Sequence, residues 1–302
     1  MEKKAGFVAI VGKPNSGKST LLNAIMGQNL SIVTPKPQTT RNKIFGILTK
    51  DNIQIIFIDT PGILKPQYKL QVFMKREIDS SFLEADIILL VTDAYRYDTG
   101  AVKEVYEKYE REFSRHKCFC ILNKIDLRNK EEVLHMIRDI SMNFKFDEII
   151  PISAAKGFNI NDVMDTIVKY LPENEFYFDG DIVTSQPEKF FVSELIRAQA
   201  LKLYKEEIPF SVYVGIDEFK ERSKGKDYIR ANIILEKDSQ KKIVIGRNGT
   251  MIKLLGERSR KEIEDFLGRD VFLELFVKVR KNWKNDEEFL KRKFGGSVSA
   301  LT

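Results

Sequence analysis

The octapeptide Gly12-Lys13-Pro14-Asn15-Ser16-Gly17-Lys18-Ser19 fits the pattern GxxxxGK[ST] at every fixed position. That spacing suits one chemistry, the capture of a polyphosphate. Glycines let the backbone turn successive N–H groups toward phosphate oxygens, Lys18 is long enough to reach the β and γ phosphates, and the Ser19 hydroxyl is a hard oxygen ligand for Mg²⁺. The flanks agree: an apolar run at 7–11 leads into the loop, and the helical run Ser19-Thr20-Leu21-Leu22-Asn23-Ala24-Ile25-Met26 leads out of it, with an N-terminus that favours an anion. A glycine-bearing turn in an ordinary α/β unit is the alternative reading.

A phosphate loop does not choose its base. Asn123-Lys124-Ile125-Asp126 follows an apolar run at 118–122, and ligands of open α/β sheets gather at the carboxyl ends of strands. There the Asp126 carboxylate can accept hydrogen bonds from guanine N1 and N2, a donor pair that adenine lacks. The expected ligand is therefore GTP or GDP, with Asn123 tying the loop together and the Lys124 stem covering one face of the base. Ser153-Ala154-Ala155-Lys156-Gly157 follows the last strand candidate and offers the Ala154 N–H to guanine O6.

Asp59-Thr60-Pro61-Gly62 ends another strand candidate and supplies parts of a phosphate-hydrolysing site. Asp59 would hold Mg²⁺ through water. Gly62 would give its N–H to the γ-phosphate, so that residues from about 63 to 70 become ordered by a triphosphate and released by a diphosphate. A first switch is expected within 28–42, where Thr40, or Thr39 as the alternative, completes the Mg²⁺ shell.

A second chemistry is written in Lys241-Lys242-Ile243-Val244-Ile245-Gly246-Arg247-Asn248-Gly249-Thr250-Met251-Ile252, which sets GxxG between two helical runs. Lys241, Lys242, Arg247, Lys253, Arg258, Arg260 and Lys261 surround the loop, while Ile243, Ile245, Ile252 and Leu255 can face inward. This is similar to a KH domain, whose GxxG loop clamps the backbone of single-stranded nucleic acid. The resemblance implies that Gly246 and Gly249 let the helix ends approach the chain and that Arg247 contacts phosphate, with Asn248 either doing likewise or capping the helix that starts at Thr250. A helix hairpin with a solvated basic face is the alternative. Charge favours RNA: residues 190–302 carry 24 basic and 18 acidic side chains, which accounts for the whole net charge of +6. Trp283 and Phe294 read as core closers.

These residues need elements to hold them. Across 1–171, apolar runs at 7–11, 44–48, 53–58, 87–91, 118–122 and 149–152 alternate with helical-period segments. The fold expected is a mostly parallel six-stranded sheet with helices on both faces. The pair Asp51-Asn52 is too short for a crossover, so the second and third strands should be antiparallel; Asn159 or Asn161 can cap the last helix. Residues 172–189, with their prolines and interrupted aromatics, read as a linker that docks. After it, 190–302 form a smaller α+β unit of the bacterial KH type with a C-terminal extension: a helix over 190–207, strands at 210–216 and 228–235, paired helices around Gly246, a strand at 271–279 and a mobile tail at 295–299.

Among 302 residues the longest aliphatic runs are far short of a bilayer span, and Met1-Glu2-Lys3-Lys4 leads straight into a strand, so a cytoplasmic protein is expected. Cys118 and Cys120 alternate along one strand and read as inert core thiols. His116 and His135 read as surface residues without ligand spacing.

The five nucleotide-site elements, in this order, resemble the translation-factor-like GTPases over the whole first unit. Ile63 stands where Ras-like relatives carry a water-orienting glutamine. Families sharing that apolar replacement and an asparagine at the place of Asn15 use potassium at the phosphates, so the resemblance implies K⁺ at Asn15, supplying charge as an arginine finger does; a purely loop-stabilising Asn15 is the alternative. Asn15, Lys18, Thr40 and Gly62 are then the catalytic set. With Thr39-Thr40-Arg41 and the KH-like unit, nearly the full chain resembles the bacterial Era family of ribosome-assembly GTPases. That resemblance implies a monomer that binds the 3′ end of small-subunit ribosomal RNA during maturation of the small ribosomal subunit. Two rivals use the same residues: an RNA-binding protein with GTP as a structural ligand, and a GTPase whose basic patch meets the cytoplasmic face of the inner membrane.

Overall fold

Seven of the eight residues of β1 (Lys4–Val11) are buried, as a strand needs when it has neighbours at both edges and helices over both faces. The computed structural model describes residues 2–295, so the tail expectation at 296–299 lies outside the described residues. Two compact units are present, the first running to Ser185 and the second starting at Gln186. No helix among the described residues is long and apolar enough to cross a membrane.

In the first unit β2 (Ile44–Lys50), β3 (Ile53–Asp59), β4 (Ile87–Asp93), β5 (Lys117–Asn123) and β6 (Glu148–Pro151) join β1 in the order β2-β3-β1-β4-β5-β6. Only β2 is antiparallel, turned back on β3 through Asp51, whose φ is 52°. The connections carry α1 (Lys18–Met26), α2 (Lys69–Glu84), α3 (Thr99–Lys108), α4 (Glu110–Phe113), α5 (Lys130–Asn143) and α6 (Ile160–Tyr170). Because β1 has β3 on one side and β4 on the other, strand order reverses at β1 and a crevice opens at its carboxyl end. Asn159 sits at the N-cap of α6 without capping it; its amide donates instead to Pro151 O at 2.8 Å. Cys118 and Cys120 are buried, and burial holds both thiols above their ordinary range.

The segment at 172–183 is seated on this unit. Buried Gln54 accepts from the Tyr177 and Phe178 N–H groups at 2.8 and 3.0 Å and donates to Phe178 O at 2.8 Å. Phe178 and Ile182 pack on Phe7, Phe45, Ile47, Ile56 and Ile58, covering one face of the sheet edge. Lys43, just ahead of β2, is a buried strut. Its Nζ lies 2.6 Å from Glu84 Oε1, and its N–H donates to Glu77 Oε2 at 3.3 Å, so α2 holds both ends of the residue. Burial raises the Glu77 carboxyl above its usual range, against the pull of Lys43.

The second unit contains α7 (Glu188–Leu203), α8 (Ile208–Ser211), β7 (Tyr213–Lys220), β8 (Asp227–Leu235), α9 (Asp238–Ile245), α10 (Thr250–Leu267), β9 (Val271–Val279) and α11 (Glu287–Phe294). Its sheet runs β7-β8-β9, antiparallel then parallel, over a core that includes Val192, Ile196, Ile229, Ile233, Val244 and Leu255. Helix α7 stops at Leu203 rather than at residue 207, and Phe210 belongs to α8 rather than to a strand. Pro209 explains the second correction, since a proline in the first turn of a helix forfeits no internal hydrogen bond. Trp283 is fully buried and donates to Ser211 O at 3.0 Å, and Phe294 is 5% exposed, so both close the core.

Replacing Lys43 with Met should strand Glu84 and Glu77 beside α2. The expected loss is about 2–3 kcal/mol in urea denaturation, partly recovered in the double variant Lys43→Met/Glu84→Gln.

Candidate functional site

The crevice beyond β1 is a cleft of about 360 Å³ lined by Asn15, Lys18, Ser19, Thr40, Gly62 and Lys124, among others. Its floor is the phosphate loop. Gly17 has φ 97°, and a Cβ there would fall 2.1 Å from Asn123 Nδ2, so no side chain fits. Gly62 presses on the loop in the same way, for its Cβ would lie 2.8 Å from Pro14, and the next residue, Ile63, donates its N–H to Gly12 O at 2.9 Å. The Ile63 side chain turns into the core beside Ile78 and Phe82. Thr60 Oγ1 donates to Ile10 O at 2.9 Å, fastening this turn to β1.

Charge is concentrated and dry. Lys18 is 6% exposed and donates from Nζ to Gly12 O and Lys13 O at 3.1 and 3.0 Å. Burial lowers its pKa to about 8, opposed by Asp59. Burial raises the Asp59 carboxyl, opposed by Lys18 and by the hydroxyls of Ser19, Ser31 and Thr40. Asp59 Oδ2 accepts from Ser19 Oγ and Ser31 Oγ at 2.7 Å each and from Thr40 Oγ1 at 3.4 Å, while Ser19 Oγ and Thr40 Oγ1 are 3.0 Å apart. Asp59 Oδ1 is buried with no hydrogen-bond partner among the described residues. Two hydroxyls and a carboxylate with an unpaired oxygen are a hard donor set, the kind that suits Mg²⁺.

Between the two threonine candidates the geometry discriminates. Thr39 Oγ1 is engaged with Lys36 O at 2.6 Å and Thr34 Oγ1 at 2.8 Å, away from Asp59. Ser31 was not foreseen, because no motif marks it; the Asn23 amide brackets its backbone, donating to Ser31 O at 2.7 Å and accepting from Ser31 N at 2.9 Å.

At the other end, three loops meet on one amide. Asn123 donates from Nδ2 to Ser16 O at 3.0 Å, and its Oδ1 accepts from Lys124 N at 2.8 Å and Ala154 N at 3.0 Å. This corrects the expectation that Ala154 N–H points to guanine O6, because Asn123 already occupies it. Ala155, the next residue of that turn, is exposed. Ser153 Oγ donates to Asp126 Oδ1 at 2.6 Å, fixing the carboxylate expected to read guanine. Lys124 Nζ bridges Asn15 O and Asp93 Oδ2, both at 2.6 Å. Asp93, at the carboxyl end of β4, was also missed; its signal was topological, an acid where adjacent strands of the sheet end.

The remaining loop residues divide. Thr20 lines the cleft. Lys13 faces outward in an exposed pair with Glu104 at 2.6 Å. Ser16 is 2% exposed, with a hydroxyl that finds no partner among the described residues. Asn15, at φ 63°, donates from Nδ2 to Pro35 O at 3.2 Å, leaving its amide oxygen as the atom able to ligate a monovalent cation.

In the second unit the GxxG turn joins α9 to α10. Gly246 has φ 75° and would bring a Cβ within 2.6 Å of Met251, Asn248 has φ 51°, and Gly249 has φ 75°. Asn248 does not cap α10, whose N-cap is Gly249. Lys242, Arg247 and Lys253 are exposed and form no ion pair among the described residues, while Lys241 is half-buried. Val244 rather than Ile243 points into the core, one turn after buried Gln240; Ile243 is 53% exposed. Between α10 and β9 lies a groove of about 470 Å³ whose lining includes Ile252, Gly256, Leu273 and Leu275, edged by Lys253 and Arg260. An apolar slot with cationic edges suits bases inside and phosphates outside.

Comparison with known proteins finds a family for each unit. Residues 7–124 match the family described as 50S ribosome-binding GTPase, and residues 207–284 match the KH domain family. GTPase Era of Lactobacillus delbrueckii subsp. bulgaricus is 44% identical over 291 residues, 95% of each chain. GTPase Era of Clostridium kluyveri is 45% identical over 289 residues, 95% of this chain and 98% of that one. Among solved structures, Era in complex with MgGDPNP and nucleotides 1506–1542 of 16S ribosomal RNA has a TM-score of 0.93 at 39% identity, covering 98% of this chain and all of that one. An Aquifex aeolicus Era variant bound to GDP and AlF4⁻ has a TM-score of 0.92, also at 39% identity and with the same coverage. With a P-loop unit, a KH unit and this identity along nearly its whole length, the chain belongs to the Era family of GTPases.

Proposed function

We propose that this GTPase is a nucleotide-driven switch that binds the 3′ end of small-subunit ribosomal RNA and assists maturation of the small ribosomal subunit. The observation that carries the reading is the pairing, in one chain, of a desolvated phosphate site with an unneutralised GxxG loop beside an apolar groove. The relative solved with 16S ribosomal RNA and MgGDPNP supports both ligands. In this reading residues 1–171 hold nucleotide, 172–189 link, and 190–302 bind RNA. The protein works as a monomer in the cytoplasm, where that RNA is, and peripheral contact with the inner membrane is secondary.

In this reading the geometry supports the following roles. Asp126, steadied by Ser153, selects guanine; Lys124 covers the base; Ala155 N–H serves O6. Gly12 to Thr20 cradle the phosphates, with Lys18 on the β and γ groups, and Gly62 N–H meets the γ-phosphate beside Thr60, Pro61 and Ile63. Ser19, Thr40 and Asp59 would hold Mg²⁺, which when bound neutralises charge on the transferred phosphoryl group. Asn15 would hold K⁺. Gly246, Arg247, Asn248 and Gly249 grip the RNA backbone, aided by Lys241, Lys242 and Lys253. Triphosphate stabilises the arrangement that binds RNA, so the two ligands are coupled.

Asp126→Asn should weaken GTP by about 10²-fold, as a charge-assisted contact to guanine N1 and N2 is lost. Xanthosine triphosphate, which offers an oxygen at C2, should gain; nucleotide titration showing no change in this preference would refute the role. Turnover should fall when Na⁺ replaces K⁺, and equal steady-state rates in the two salts would count against Asn15. The function as a whole is tested with the pair Arg247→Glu/Asn248→Asp. RNA affinity should drop at least about tenfold and its salt dependence flatten, with RNA-free GTP hydrolysis unchanged. In the unsubstituted protein, RNA should raise affinity for a GTP analogue by the factor by which that analogue raises RNA affinity; a factor of one in both directions sinks the switch.

A further inference from the structure

The loop after β4 places an arginine at the mouth of the nucleotide cleft. Arg96 lines the cleft, and it also lines a neighbouring cavity of about 210 Å³ that shares Pro14 and Asn15 with it. Arg96 therefore stands at the rim of the phosphate loop, beside Asn15. Its guanidinium has no hydrogen bond or ion pair among the described residues.

The surrounding turn is fastened rather than loose. Asp93 Oδ1 accepts from Tyr95 N at 2.9 Å and Arg96 N at 3.3 Å, and Asp93 Oδ2 is 2.6 Å from Lys124 Nζ. Arg128 donates to Ala94 O at 3.2 Å and to Tyr95 O at 2.7 Å, and its guanidinium lies 5.5 Å from the Tyr95 ring centroid. Neither nearby acid pairs with Arg96. Asp93 is neutralised by Lys124, and Asp98 accepts from Gly100 N at 3.0 Å at the start of α3. An arginine on a fastened turn beside the phosphate loop, with no ion pair of its own, has one strong class of ligand available in the cleft: phosphoryl oxygen.

Chemistry makes such a group useful. Ile63 is buried in the core, so the turn after Asp59 brings no polar side chain to the attacking water. Hydrolysis must then rely on positive charge around the transferred group. Lys18 approaches from the floor of the loop, and Arg96 stands on the Asn15 side. We propose that Arg96 is a built-in arginine that contacts the phosphoryl oxygens of bound nucleotide and stabilises the charge that develops during hydrolysis. This rests on the reading of the cleft as the GTP site.

The test compares Arg96→Ala and Arg96→Lys with the unsubstituted protein in three measurements: GTP turnover, GDP affinity, and GDP affinity in the presence of aluminium fluoride. Because Arg96 is exposed and its turn is held by backbone bonds, melting temperatures should agree within about 2 °C. Arg96→Ala should lower turnover by about 10- to 100-fold, below the full effect of an enclosed arginine finger. It should weaken the aluminium fluoride complex by a similar factor and GDP alone by less than about threefold, and Arg96→Lys should restore part of both losses. Unchanged turnover with an unchanged aluminium fluoride complex overturns the proposal, as does an equal loss with GDP alone, which would mark a ground-state contact. Lys18→Ala separates the underlying assumption: if it binds nucleotide normally, the cleft is not the GTP site and the proposal falls with it.

Discussion

The nucleotide site depends on one carboxamide. Asn123, 2% exposed, spends its donor on Ser16 O in the phosphate loop and its acceptor on the N–H groups of Lys124 and Ala154. Three loops from the ends of β1, β5 and β6 thus share one planar group whose partners are all backbone. A buried amide bonded on both its nitrogen and its oxygen fixes geometry well, and one that loses a partner costs about 1–3 kcal/mol. Gly17 is a consequence: the amide nitrogen occupies the space in which any other residue would place its Cβ. Lys124 repeats the tie with charge, joining Asn15 O to Asp93. Spacing between base site and phosphate site is therefore set before a nucleotide arrives.

Within that frame the phosphate end is kept charged at a cost. Lys18 and Asp59 are both enclosed, and burial pushes each toward its neutral form, while their mutual attraction and the three hydroxyls on Asp59 push back. The unpaired Asp59 Oδ1 shows that the protein alone does not complete the arrangement. Such a site gains most from ligands that bring the missing charges with them, a polyphosphate for Lys18 and a divalent cation for Asp59. Selectivity for a charged nucleotide over a neutral nucleoside follows from the same desolvation.

The fold was legible where chemistry and local sequence coincide. The β1 loop and helix α1, the antiparallel β2–β3 pair and the GxxG turn each follow from a few adjacent residues whose conformations are forced by glycine, by a two-residue connection or by a buried strand. What escaped were contacts between segments far apart in sequence. Ser31 meets Asp59 only because Asn23 clamps its backbone, and Asp93 matters only because β4 and β5 end side by side. The bond from Ala154 N–H to Asn123 is likewise invisible in the sequence. That Val244 rather than Ile243 faces inward is hidden because three consecutive β-branched residues in a short helix leave its phase undefined until the rest of the core is in place. The seat of 172–183 on β2 and β3 hangs on Gln54, a polar residue second in an apolar strand, where the sequence gives no hint of its partners.

A switch needs a boundary between what moves and what stays. The residues that bring oxygen and N–H groups to the cleft from outside the phosphate loop, Thr40 and Gly62, lie in stretches without regular secondary structure, at 28–43 and 60–68. The sheet ladder begins at Ile44, paired with Asp59, and the buried Lys43 strut stands one residue before it. A rearrangement confined to 28–42 would break no ladder bond, and one that reached Lys43 would separate a buried ion pair, which is costly. That strut ends on Glu77 and Glu84 of α2, the helix into which the second irregular stretch runs. The strut therefore ties the end of the first irregular stretch to the body of the helix that the second one enters.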